Sequence, residues 1–94
     1  MKLDLLLSVL ETRKKEAPAG SYTARLLANG EDEILKKVGE ETMEVILAAK
    51  GQGDQRLIEE VADLFYHTLV LLVARDLSLE DVEQELERRH KPAV

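Results

Sequence analysis

A chain of 94 residues, 45% hydrophobic but only 3% aromatic, makes one small domain cored by Leu, Val, Ile and Ala, the composition of a helical bundle that gains from oligomerisation. A formal charge of −6, from 13 basic and 19 acidic residues, argues against a nucleic-acid polymer as partner, and without Cys there is neither a disulfide framework nor a thiolate zinc site. The apolar run Leu69 to Ala74 is too short to cross a bilayer and Met1 to Leu10 lacks a signal-peptide pattern, so no membrane partner is expected and cytoplasm is the expected compartment.

Leu3, Leu6, Leu7 and Leu10 recur at helical spacing and predict an opening helix to about Lys15, ended by Pro18 and Gly20. Ser21 is placed to cap a short helix, Tyr22 to Ala28, with Asn29-Gly30 as its left-handed stop. A first long helix is expected from Asp32 to Lys50. Gly51-Gln52-Gly53-Asp54 then breaks the chain, with Asp54 as the expected cap of a second long helix ending near Arg75. So short a connection favours antiparallel neighbours. Ser78-Leu79-Glu80-Asp81 has the form of a capping box opening a last helix, in which Leu79, Val82 and Leu86 can pack, and His90-Lys91-Pro92 should fray. The expected fold class is all-α: four main helices plus a short one, completed as a homodimer, with no internal repeat and no second domain.

The two long helices carry the chemistry. At about 100° per residue, Lys37, Glu40, Glu41 and Glu44 fall in one stripe of the first, and Arg56, Glu60, Asp63 and His67 in one stripe of the second, with Glu59 at its edge. Apolar residues leave these acids only a narrow strip: Ile34, Leu35, Val38, Met43, Val45, Ile46, Leu47 and Ala49 on the first, and Leu57, Ile58, Val61, Leu64, Phe65, Leu69, Leu72 and Val73 on the second. Carboxylates crowded in this way repel one another and resist desolvation unless a positive group offsets them, and a bound cation would do so.

Plainer readings stand beside these. Solvated helix faces would carry the same acids, with Lys37 and Glu41 as an i, i+4 pair. His67 reads as a hydrogen-bonded structural residue, Ser21-Tyr22-Thr23 as a cap, and Phe65 and Tyr66 as core or interface. Glu87-Arg88-Arg89-His90 holds one Glu-x-x-His spacing, but a di-iron bundle needs two such motifs and two further glutamates.

Glu40-Glu41-x-x-Glu44 followed by Glu60-x-x-Asp63 resembles the paired motif of the MazG-like all-α nucleotide pyrophosphohydrolases. A longer match runs along nearly the whole chain: Pro18-Ala19-Gly20-Ser21-Tyr22-Thr23, Leu26, Gly30, Ile34, Lys37-Val38-Gly39-Glu40-Glu41 and Ala62-Asp63-Leu64-x-Tyr66-His67. It resembles the phosphoribosyl-ATP pyrophosphatase family of histidine biosynthesis, although Ala19 stands where an acidic or polar residue is more usual. The resemblance implies a Mg²⁺-dependent hydrolase converting 1-(5-phosphoribosyl)-ATP to 1-(5-phosphoribosyl)-AMP and pyrophosphate. In some organisms the family's domain is fused to the phosphoribosyl-AMP cyclohydrolase that acts next; here that activity, if needed, is expected on a separate polypeptide.

On that reading Glu41, Glu44, Glu60 and Asp63 are the metal-ligand candidates, because Mg²⁺ takes a few carboxylates beside substrate phosphates and water. Glu40 is an extra ligand or supporting acid, and either Glu40 or Glu41 orients the attacking water. Lys37 is the foremost candidate to meet a phosphate, with Lys36, Arg25, Arg13 and Arg56 as further cations. Ser21, Tyr22 and Thr23, at the start of the short helix, are candidates for holding phosphate or ribose. The alternatives are a house-cleaning nucleoside triphosphate pyrophosphatase of the same superfamily and a non-catalytic helical dimer.

Overall fold

The computed structural model describes residues 1–90, and in these the chain folds into five helices with no strand. They are α1 (Leu3–Glu16), α2 (Tyr22–Ala28), α3 (Glu31–Gly51), α4 (Asp54–Ala74) and α5 (Leu79–Arg89). The all-α expectation holds. Lys91 and Pro92, two of the residues expected to fray, lie outside the described residues.

Only Gln52 and Gly53 separate α3 from α4, and these two helices share the most extensive contact of the fold. They form an antiparallel hairpin: Glu41, well before the turn, meets Glu60 and Asp63, which lie comparably far beyond it. Helix α1 packs along α4, while α2 is wedged between α1 and the hairpin. The core lies where these elements converge. Leu10 of α1, Ile34 of α3 and Val70 of α4 are fully buried, joined by Leu7, Leu26, Leu69 and Val73.

The helix ends show how local chemistry sets these boundaries. Helix α1 stops at Ala17, which takes the left-handed conformation at φ 45° and donates its N–H to the Arg13 carbonyl just before Pro18. Ser21 caps α2, its hydroxyl accepting from the Ala24 N–H at 3.1 Å. At α5 both halves of the capping box form: Ser78 Oγ accepts from the Asp81 N–H at 3.2 Å, and Asp81 accepts from the Ser78 N–H at 2.8 Å.

The Asn29-Gly30 stop ends α2 as expected: Asn29 is right-handed at φ −77°, its N–H still bonded to the Arg25 carbonyl, and the positive φ of 96° falls on Gly30, which leads into α3 at Glu31. The expected cap at Asp54 is corrected. Asp54 is the first residue of α4, and Gly53, at φ 89°, supplies the reversal without any side-chain cap. Both turns use a backbone region that only glycine enters without strain, and Asp54 instead places a negative charge in the positive first turn of α4.

The apolar flanks of the hairpin are less covered than the pattern implies. Within α3 only Ile34 and Ala48 are buried, whereas Leu35, Met43, Ile46 and Leu47, with Ile58 and Phe65 of α4, remain exposed. Helix α5 buries no residue fully. It instead forms one wall of an apolar groove of about 910 Å³, whose lining includes Leu64, Phe65, Leu69, Leu72, Val82 and Leu86.

Candidate active site

The two acidic stripes face the same cleft. Carboxylate oxygens of Glu41 on α3 and of Glu60 and Asp63 on α4 lie within 4.8 Å of one another, the one such group among the described residues. They line a cleft of about 530 Å³ whose remaining walls are Glu40, Met43, Glu44 and Arg56. Glu44, one turn beyond Glu41, lines this cleft but stands outside the tight trio.

Glu60 is 3% exposed, an unusual setting for a carboxylate. Its charge is met by Arg56 one turn earlier, whose Nη2 lies 2.8 Å from Glu60 Oε1 while Nη1 donates to Glu59 at 3.1 Å. Hydrogen bonding to Glu59 and the charge of Glu60 hold the Arg56 pKa above its usual value. Among the described residues no cation pairs with Glu41. Burial first, then a hydrogen bond with Glu60 and the negative charges of Asp63 and Glu60, push its pKa up, only partly countered by His67. A carboxylate set with this surplus of negative charge and all-oxygen donors fits a hard divalent cation.

The cations sit around the rim. Lys37 lies 3.5 Å from Glu40, and Lys36 approaches the same carboxylate at 4.0 Å. Partial burial opposes the charge on Lys37, but Tyr22, Glu40 and Glu41 outweigh it and raise its pKa. Arg13 and Arg25 form no part of the cleft wall, and Arg13 lines a separate hollow between α1 and α2.

Helix α2 presents its three candidates differently. The Ser21 hydroxyl serves the cap, and Thr23 is buried with its hydroxyl bonded to that of Tyr66. Tyr22 alone of the three is exposed. Its hydroxyl lies 3.1 Å from Nε2 of His67, and His67 Nδ1 lies 2.8 Å from the carbonyl oxygen of Asp63. Burial, then the charges of Tyr66, Glu41 and Glu33, raise the Tyr22 pKa against the opposing pull of Lys37. Pattern reading left His67 as a structural histidine. Its position four residues after Asp63 was the available signal that the ring would meet the backbone of that turn, but nothing in sequence tied it to Tyr22.

Comparison with known proteins identifies the family. The model of the phosphoribosyl-ATP pyrophosphohydrolase family matches residues 3–90. The phosphoribosyl-ATP pyrophosphatase of Trichlorobacter lovleyi is 56% identical over 87 residues, covering 93% of this chain and 81% of that protein. That of Clostridium botulinum strain Hall is 48% identical over 89 residues, covering 95% and 81%, and that of Leptospira biflexa is 51% identical over 82 residues, covering 87% and 89%. With the match running from the first turn of α1 to the end of α5, and with the acids of its long hairpin meeting in one cleft, the chain belongs to the phosphoribosyl-ATP pyrophosphohydrolase family.

Proposed function

We propose that this protein hydrolyses 1-(5-phosphoribosyl)-ATP to 1-(5-phosphoribosyl)-AMP and pyrophosphate, a step of histidine biosynthesis, with Mg²⁺ as its metal. The observation that carries the reading is the meeting of Glu41, Glu60 and Asp63 across the α3–α4 hairpin in a chain matched to this family over residues 3–90.

Glu41, Glu60 and Asp63 would hold the ion, with Glu44, on the wall of the same cleft, as a further candidate ligand. Bound there, Mg²⁺ supplies charge neutralisation on the phosphates and a more acidic water. Release of intact pyrophosphate requires cleavage of the bond between the α and β phosphates; when water attacks the α-phosphorus, the bridging oxygen leaves on the pyrophosphate. Glu40 and Glu41 are the carboxylates proposed to orient the attacking water and take its proton. Lys37, held against Glu40, supplies a charge for the phosphates, and Arg56 and Lys36 add cations on the same rim. Arg13, Arg25, Ser21 and Thr23 are the weaker substrate candidates, because none of them lines the acidic cleft and the two hydroxyls are engaged within the fold. The proposed setting is a cytoplasmic homodimer passing its product to a separate phosphoribosyl-AMP cyclohydrolase.

The test is turnover of phosphoribosyl-ATP, with pyrophosphate detection, against a panel of free nucleoside triphosphates. Selective release of pyrophosphate from phosphoribosyl-ATP supports the reading. Preference for a free triphosphate would replace it with the house-cleaning activity.

A further inference from the structure

We propose that Arg56 is a positioning residue that makes the site select Mg²⁺ over Ca²⁺, by holding one oxygen of Glu60 and leaving that carboxylate a single oxygen for the ion; this rests on the metal reading of the acidic trio given above. The chemistry of the two ions sets the terms. Mg²⁺ is small, demands a near-ideal octahedron and keeps several waters, so carboxylates that each give it one oxygen suit it. Ca²⁺ takes about six to eight oxygens and readily gathers both oxygens of one carboxylate. A carboxylate prevented from turning both oxygens to the ion therefore costs Ca²⁺ more than Mg²⁺.

Glu60 is prevented in this way. It is the buried member of the trio, 3% exposed, whereas Glu41 is half-buried and Asp63 exposed. Its Oε1 lies 2.8 Å from Nη2 of Arg56, the separation of a charge-assisted hydrogen bond. Nη1 of the same guanidinium donates to Glu59 at 3.1 Å, so the planar fork is tied at two points, by acids one and the same turn along α4. Among the described residues no cation pairs with Glu41 or Asp63, which leaves both free to turn toward an ion. Arg56 stands in the wall of the cleft with the trio, so its hold on Glu60 is exerted inside the site. A guanidinium keeps its charge at any pH at which the protein folds, and the hold does not depend on titration.

The experiment uses the metal-free full chain with Mn²⁺ as probe, its free signal followed by electron paramagnetic resonance while Mg²⁺ or Ca²⁺ displaces it. No substrate is present, which separates the result from turnover. Glu41→Gln should lose Mn²⁺ binding and so locate the probe at the trio. In the wild type Mg²⁺ should displace the probe at lower concentration than Ca²⁺. Arg56→Gln should bind both ions more tightly because a competing charge is gone, and Ca²⁺ should gain about tenfold more than Mg²⁺, the worth of one charge-assisted hydrogen bond. Arg56→Lys keeps a charge beside Glu60 and protects the fold, but it replaces the fork with a point charge on a flexible stem, and should move the ratio part of the way. Equal gains for both ions in Arg56→Gln would mean that Arg56 acts through charge alone, and would overturn the inference. So would a ratio unmoved in both variants, or in Arg56→Lys alone should Arg56→Gln not fold, or a wild type that takes Ca²⁺ as readily as Mg²⁺. A probe site that survives Glu41→Gln would overturn the metal reading of the trio together with this inference, whereas the other outcomes leave that reading standing.

Discussion

Glu41 concentrates the electrostatics of the site, because it is partly buried beside Glu60 and Asp63 and, among the described residues, pairs with no cation. Its folded pKa lies above the ordinary value of 4.5, so the native state binds that proton more tightly than the unfolded chain does. The resulting stability is fully present below the unfolded pKa and is lost as pH rises through the folded one. Thermal melts of metal-free protein should therefore fall over that interval, and Glu41→Gln should flatten the fall and melt higher at neutral pH. The same variant should lose roughly 100-fold or more in kcat, the usual consequence of removing a group that acts on the transition state. Retention of activity would leave the trio as an ordinary acidic face. Much of this was legible in sequence, since the helical period alone puts Glu41, Glu44, Glu60 and Asp63 on two stripes. The division of labour among them was not. The pairing of Glu60 with Arg56 is the i, i+4 contact their shared stripe implies, but that Glu60 is nearly sealed while Glu44 stands off the trio depends on the approach of α4 to α3, which periodicity does not encode.

At the level of elements, the hairpin earns its place by holding two repelling rows together. Binding of Mg²⁺ to the native state alone should raise the melting midpoint, by the equivalent of about 2.7 kcal/mol when the free ion is a hundredfold above its Kd. Glu60→Gln should abolish most of that shift, and an unchanged shift would place the ion elsewhere. Helix α5 supplies an independent check on how local signals build the fold. Ser78→Ala removes the hydroxyl that accepts from the Asp81 N–H, and should destabilise the protein by about 1 kcal/mol, read as a lower denaturant midpoint with unchanged slope. Signals of this kind were readable because they lie within a few residues of one another. The tie that fixes α1 to the end of α4 was not: Lys14 Nζ donates to the Val73 carbonyl at 3.0 Å and pairs with Asp76 at 2.8 Å, joining residues from distant parts of the chain. The turns were legible less evenly: Gly30 and Gly53 take the positive-φ conformations, whereas Asp54, expected as a cap, is the first residue of α4.

For the whole molecule the open question is what covers the apolar faces. A domain of this size buries a modest core, here centred on Leu10, Ile34 and Val70, and leaves Phe65, Ile58, Met43 and Leu86 substantially exposed. The groove between α4 and α5 adds about 910 Å³ of apolar-lined space on the same molecule. Exposure of this extent marks an interface in soluble proteins, and the expected occupant is a second copy of the chain, because a symmetric dimer covers the same patch twice with one set of substitutions. Sedimentation at micromolar concentration should give a dimer, and the melting midpoint should climb with protein concentration, as mass action requires of a subunit stabilised by its partner. Phe65 is the residue to test, being aromatic, half exposed and part of the groove lining. Phe65→Asp should weaken the dimer by about 2 kcal/mol or more, roughly thirtyfold in its dissociation constant, since buried aromatic anchors dominate such interfaces. A monomer in the wild type, or a dimer indifferent to this charge, would assign the groove to something other than self-association.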